Sequence, residues 1–434
     1  MTRVSEMTTS RPHPVRLAPD PSANAPRGLL ARLLLPPGVD PGVAPLLLAR
    51  GLRGLGDGYM AVLLPVYLLS IGLGLIEVGI VATATLFGSA LATLAVGAWG
   101  HRFASVRMLR AAALLMAATG LGFAGLTTFW PLLLVAFVGT LNPSSGDVSV
   151  FLPLEHARLA GAASGQSRTA LFARYSLLGA LCGALGALGA GLPDWLAGHD
   201  IASAAVALRA MFLLYGAIGL LVWWLYRRPG ASAAVADARP AAPLGPSRRV
   251  VVRLAVLFSV DAFAGGLVVN ALLALWLFQR FGLSVGQAGV FFFWTGLLSA
   301  ASQLAAPRVA QRFGLLNTMV FTHIPANVCL VLAALAPSLP VALALLFVRS
   351  ALSQMDVPTR TAYVMAVVTP PERPAAASFT AVPRSLASAL SPSLSGALLA
   401  TGLLWAPLVA CGVLKIAYDL ALWRGMRGER LPDE

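Results

Sequence analysis

Apolar runs of about 20 residues, separated by short polar or Pro/Gly breaks, follow one another along nearly the whole chain. A run of that length matches the thickness of a bilayer's hydrocarbon core. Twelve can be counted: 45–70, 76–98, 107–127, 131–153, 169–191, 204–226, 250–278, 287–307, 316–336, 340–364, 377–401 and 405–423. Hydrophobic residues make up 58% of the 434 and charged residues only 11%, so little chain is left for a soluble domain. The class is a polytopic all-α membrane protein with the lipid bilayer as its solvent.

Six spans lie on either side of "RRPGASAAVADARPAAPLGPSRR", the one long polar stretch between spans. The organisation that follows is a disordered or interfacial N-terminal tail over 1–43, a first six-helix bundle over 44–226, a linker over 227–249, a second bundle over 250–424 and a tail over 425–434. The net charge of +14 comes almost wholly from arginine, Lys415 being the only lysine. These arginines flank apolar runs and gather on no soluble module, which excludes nucleic acid as a partner. Arg102, Arg107, Arg110, Arg158, Arg168, the linker arginines, Arg308, Arg312, Arg373 and those after the last span fall on one side, and the other offers little beyond Arg209 and Arg280. By the positive-inside rule the crowded side is cytoplasmic, which puts both termini inside a cell membrane, inner or plasma, crossed many times.

The halves repeat each other. "GLGLIEVG" (72–79) meets "GLSVGQAG" (282–289) at an offset of 210, which is 282 less 72. "GHRFA" and "AQRFG", Phe137-Val138 and Phe347-Val348, and Arg174 and Arg384 keep that offset; "GDV" at 146 and "MDV" at 355 miss it by one. Agreement at separate places indicates a duplicated six-helix unit, and an even number of spans per unit makes the copies parallel.

The chain resembles the major facilitator superfamily over roughly 45–425. The family's G-x-L-A-D-R-x-G-R-R loop after the second span corresponds to "GAWGHRFASV", where Gly97 and Arg102 match and His101 stands at the acidic position. The second copy, "PRVAQRFGLL", has Gln311 at that position and keeps Arg312 and Gly314. The resemblance implies two parallel six-helix bundles, alternating access, and a central cavity lined by the first, fourth, seventh and tenth spans.

Charges inside spans are costly and need a partner or a task. Arg53 and Asp57 are one helical turn apart and are expected to pair. With Asp147 and Arg174 they form a neutral set in the first half; Asp261, Asp356 and Arg384, with Arg253 nearer the surface, repeat the theme in the second. Three roles stand open for these charges: structural salt bridges, a gate whose pairs form and break, or proton coupling, with Asp57 and Asp261 foremost. Arg349 lacks a sequence partner and would suit an anionic substrate group or a pairing with Asp261; Arg360 is expected to snorkel to the interface. Asn142, Asn270 and Gln354 could face a substrate or bond between helices. Pro143 and Pro358 are expected to bend the fourth and tenth spans. Glu155, His156 and Arg158 are read as a loop after the fourth span.

No phosphate loop, HExxH, GxSxG or metal-ligand spacing occurs, so no cofactor, metal or catalytic residue is expected. The function expected is a monomeric secondary transporter of a small molecule, proton-coupled, with efflux of organic or amphipathic compounds preferred because the pocket helices look apolar. The alternatives are uptake of a nutrient or organic anion, and a non-transporting sensor, assembly factor or lipid scramblase on the same fold.

Overall fold

The computed structural model describes residues 35–37, 39–99, 102–144, 149–163, 165–227 and 244–427. Most of the expected N-terminal tail and linker, with Asp147 and His101, lie outside the described residues. All regular elements among the described residues are helical. The first half comprises α1 (Ala44–Ser70), α2 (Leu75–Trp99), α3 (Ser105–Gly125), α4 (Phe129–Val138), α5 (Phe151–Ala162), α6 (Gly165–Gly189), α7 (Leu192–Gly198) and α8 (Ala204–Leu225). The second comprises α9 (Arg248–Gly266), α10 (Asn270–Phe281), α11 (Val285–Phe313), α12 (Leu315–Ala334), α13 (Leu339–Ser353), α14 (Asp356–Val367), α15 (Arg373–Ala400) and α16 (Ala406–Met426).

Among the described residues nine segments are long and apolar enough to cross a membrane. Three more helical stretches pack among them: α1, which carries Arg50, Arg53 and Asp57; the divided α4 and α5; and α15, interrupted by Pro383 and Pro392. The structure breaks spans where a bend was expected. Helix stops after Val138 and restarts at Phe151, and in the tenth span it stops at Ser353 and restarts at Asp356. Pro143 has no N–H to give a helix, and Asn142 Oδ1 accepts from the Ser144 N–H (3.0 Å) and hydroxyl (2.7 Å), an Asx turn that competes with helix. The seventh span is likewise divided, at Leu267–Val269.

The packing repeats between halves. α1 packs on α6 as α9 packs on α15; α3 packs on α8 as α12 on α16; α2 packs on α4 as α11 on α13. Small residues permit the close approaches, since in lipid these contacts rest on van der Waals fit. A Cβ on Gly58 of α1 would collide with Gly183 O, and one on Gly54 would stand 2.7 Å from Gly179 O.

Between the halves, α2 packs on α15 and α6 on α11. The close contacts lie toward the end opposite the termini. Thr83 Oγ1 donates to Ser393 Oγ (3.0 Å) and accepts from the Ser393 N–H (2.9 Å). A Cβ on Gly79 would meet Pro392 O at 2.8 Å and Gly396 Cα at 2.9 Å, and one on Gly289 would meet Ala187 O at 2.6 Å. Toward the terminal end the two halves separate around a cavity.

At the terminal end Glu372 fastens the start of α9 to that of α15. It accepts hydrogen bonds from Ser247, from the Thr369 hydroxyl (2.6 Å) and from the Gly245 N–H, and these hold its carboxyl down to about 2, from an ordinary 4.5. The stabilisation is present in full above the unfolded value and is lost as pH falls through 4.5 toward 2. Melting of the purified protein followed across that window should show a loss of stability that Glu372→Gln removes. A second substitution tests the helix packing. Gly58→Ala should cost about 1–3 kcal/mol by overpacking against backbone and lower the melting temperature. Gly97→Ala, where a Cβ has nothing within 4 Å, should leave it unchanged or slightly raised.

Candidate functional site: charged hubs and a central cavity

Each half centres a hub of partners on a buried carboxylate. In the first, Glu155 of α5 is 0% exposed. It is salt-bridged to Arg53 of α1 and accepts the hydroxyls of Tyr175 on α6 and of Tyr226 just beyond α8 (2.6 Å). The Arg53 guanidinium also lies over the Phe151 ring, 4.1 Å from its centroid. An isolated carboxylate would be intolerable at this depth; one with a guanidinium and two phenols is satisfied.

In the second half Asp261 of α9 is salt-bridged to Lys415 of α16 (2.5 Å) and to Arg360 of α14 (3.2 Å). Arg360 also holds Asp356 at 3.1 Å. The two hubs tie the same pair of spans with acid and base exchanged. The first joins a base on the opening helix to an acid on the second limb of the broken fourth span, 102 residues on; the second joins an acid to a base on the matching spans, 99 residues on.

Several expectations are corrected here. Arg53 is bound to Glu155 and makes no salt bridge to Asp57. Asp57 instead lies among Arg53, Arg50 and the Tyr215 hydroxyl. Glu155 and Arg158 are not loop residues: Arg158 is 3% exposed and donates to Ser105 Oγ at 2.8 Å. Past the expected helix end, α5 runs on to Ala162 and buries Leu154, Glu155, Arg158 and Leu159. Arg360 does not snorkel, because two carboxylates hold it inside. Asp261 is taken by Lys415 and Arg360, not by Arg349. Arg174 and Arg384 are both partly buried, on α6 and α15.

The cavity between the halves has a volume of about 700 Å³. It takes residues from the first, fourth, seventh and tenth spans, as the resemblance implied, and also from α6, α11, α15 and α16. Asn270, Arg349 and Gln354 line it. Asn142 does not; it is 3% exposed and occupied by the Asx turn. Gln303 donates to Gln354 at 3.3 Å. Arg50, His156 and Lys415 also face the cavity, and no carboxylate does so among the described lining residues. The expectation of an apolar pocket with few polar anchors is therefore not met. Lys415 and Arg50 carried a sequence signal, as the chain's one lysine and the first charge in α1; His156 was hidden by the misplaced end of the fourth span. Of the residues expected in the two loop motifs, Arg102 is exposed, Gln311 and Arg312 are exposed in the last turn of α11, Gly97 has open space around it, and Gly314 turns the chain at φ +82°. Among the described residues no group of His, Cys, Asp or Glu could hold a metal ion.

A model described as Major Facilitator Superfamily matches residues 46–326. The uncharacterized membrane protein YJR124C of Saccharomyces cerevisiae is 25% identical over 410 residues, 86% of this chain and 91% of that one. Among solved structures, the xylose transporter XylE from E. coli in its inward-open conformation has a TM-score of 0.68 at 16% identity, covering 87% of this chain and 95% of that one. An inward-facing, unoccupied bacterial homolog of the human lysosomal transporter Spinster has a TM-score of 0.66 at 16% identity, covering 90% and 98%.

The first hub makes a ranked prediction. Arg53→Met strands a buried carboxylate and should cost about 3–5 kcal/mol, while Arg53→Met with Glu155→Gln should recover part of that loss. Thermal melts in detergent check the order; a double variant less stable than Arg53→Met alone would contradict it.

Proposed function

The chain belongs to the Major Facilitator Superfamily, and on that premise we propose that it is a secondary transporter of a small molecule, working by alternating access. One observation carries this reading: the halves touch closely at Thr83–Ser393, Gly79–Gly396 and Ala187–Gly289, while a cavity lies between them on the terminal side of those contacts. Helices that meet through glycine and one pair of hydroxyls can part without breaking an ion pair. The charged hubs, by contrast, lie within halves, so each half can move as a body. Such a layout suits rocking of one bundle against the other about a central site.

In this reading twelve segments cross the cell membrane, the six of each half forming one bundle. Both termini face the cytoplasm, as the arginine distribution supports, and the conformation is inward-open. The inward-facing states of XylE and the Spinster homolog accord with it.

Asp57 is the group best suited to couple transport to protons. Glu155, Asp261 and Asp356 are each held by a cation in a salt bridge and Asp419 is paired with His323, whereas Asp57 is near Arg53 and Arg50 but salt-bridged to neither. A carboxylate held less tightly can exchange its proton as the surroundings open and close. The remaining charges, Arg174 and Arg384 among them, act in this account as fasteners of each bundle.

The test needs no substrate. Thr83→Cys and Ser393→Cys are combined with Ser299→Cys, a cavity position, in a chain whose Cys182, Cys329 and Cys411 are replaced by alanine. In oriented vesicles, a membrane-impermeant maleimide should reach Ser299→Cys from both faces before cross-linking and from the cytoplasmic face alone after it. Access from only one face before cross-linking would favour the non-transporting alternative. Asp57→Asn should abolish the dependence of two-sided labelling on pH; unchanged pH dependence would remove Asp57 from the coupling role.

A further inference from the structure

The cavity is electropositive, and the charge is contributed by both bundles. Arg50 of α1 and Arg349 of α13 line it with Lys415 of α16. Lys415 is matched by Asp261 at 2.5 Å. Arg50 and Arg349 have no salt bridge among the described residues. The Arg349 Nε and the Arg50 Nε are both buried without a hydrogen-bond partner. Arg50 is held over the Tyr175 ring, 5.3 Å from its centroid, and lies across Gly179, where a Cβ would collide with its Nε. Tyr175 and Gly179 therefore shape a slot that holds the guanidinium at the cavity wall.

Burying a guanidinium with donors unmet is costly, and such a group is kept where something comes to meet it. Asp261, the partner expected for Arg349, already serves Lys415 and Arg360. Guanidinium is also the side chain whose fork of donors fits a planar or tetrahedral oxyanion. Gln303, Gln354 and Asn270 also line the cavity and carry neutral hydrogen-bonding groups for the rest of a ligand. A volume of about 700 Å³ admits a small organic molecule.

Resting on the transporter reading above, we infer that the cavity binds a small organic anion, whose carboxylate or phosphate is received by Arg349 and Arg50 together. Because the two arginines belong to different bundles, an anion between them replaces like-charge repulsion with attraction on both sides. Binding then favours closure of the terminal end, which is the step alternating access needs after loading.

The test uses the full-length protein in detergent at constant ionic strength, with melting followed against benzoate, succinate, glucose 6-phosphate, glucose and tetraphenylphosphonium. At least one of the three anions should raise the melting temperature saturably. Its apparent Kd should rise about tenfold or more in Arg349→Gln and in Arg50→Gln, and fall back toward the parent value in Arg349→Lys. Benzoate and succinate against glucose 6-phosphate separates carboxylate from phosphate recognition. Stabilisation by none of the anions, by glucose or tetraphenylphosphonium alone, or equally in Arg349→Gln would overturn the inference. The maleimide experiment reads the gate without ligand, so gated labelling with no anion effect sinks only the substrate class; loss of gated labelling sinks the transport reading.

Discussion

A carboxylate taken out of water must be neutralised where it stands, and in this protein one such group organises each half. Glu155 gathers Arg53, Tyr175 and Tyr226, so four separate stretches of the first half converge on a single side chain. Asp261 gathers Arg360 and Lys415 in the second. Removing one member leaves another buried and unmatched, which makes each hub far harder to break than any one bond in it would be. In both halves an ion pair ties the first span to the fourth, with acid and base exchanged.

Reversal matters because it preserves a constraint without preserving residues. Helix one to helix four is tied in both halves, although an acid and a base have changed sides. The salt bridges lie inside the halves, and the closest contacts between halves are made by glycines, an alanine, a Thr–Ser pair and the Ala271 N–H donated to Pro143 O (3.0 Å), beside the packing of α1 on α10. Salt bridges within each half, and none between halves among the described residues, suit the proposed rocking of one bundle against the other.

Much of this is legible in the chain alone, because bilayer thickness sets a length and hydrocarbon demands apolar residues. The offset of 210 between "GLGLIEVG" and "GLSVGQAG" anticipates the repeated packing of α1 on α6 and α9 on α15. Partner choice was not legible. Arg53 and Asp57 stand one turn apart, and local spacing favours their pairing, yet a carboxylate 102 residues away takes the guanidinium. The break in the fourth span concealed that competitor: an apolar count runs straight through residues 139–150, while Pro143 and the Asn142 turn do not sustain a helix. The cavity's charge was equally hidden, since Arg50, Arg349 and Lys415 are spread over more than 360 residues and only the fold brings them to one cavity.

Whether the halves move as two bodies is decided most directly by spin-label distances at both ends of the molecule. Exposed positions suit this: Phe103 and Phe313 toward the terminal end, Thr127 and Ser338 toward the other. Double electron–electron resonance across a pH series, in the parent chain and in Asp57→Asn, should give two populations at each end that change in opposite senses. As the Phe103–Phe313 separation shortens, the Thr127–Ser338 separation should lengthen. A single distribution at each end, unmoved by pH and by the substitution, would contradict alternating access in this protein.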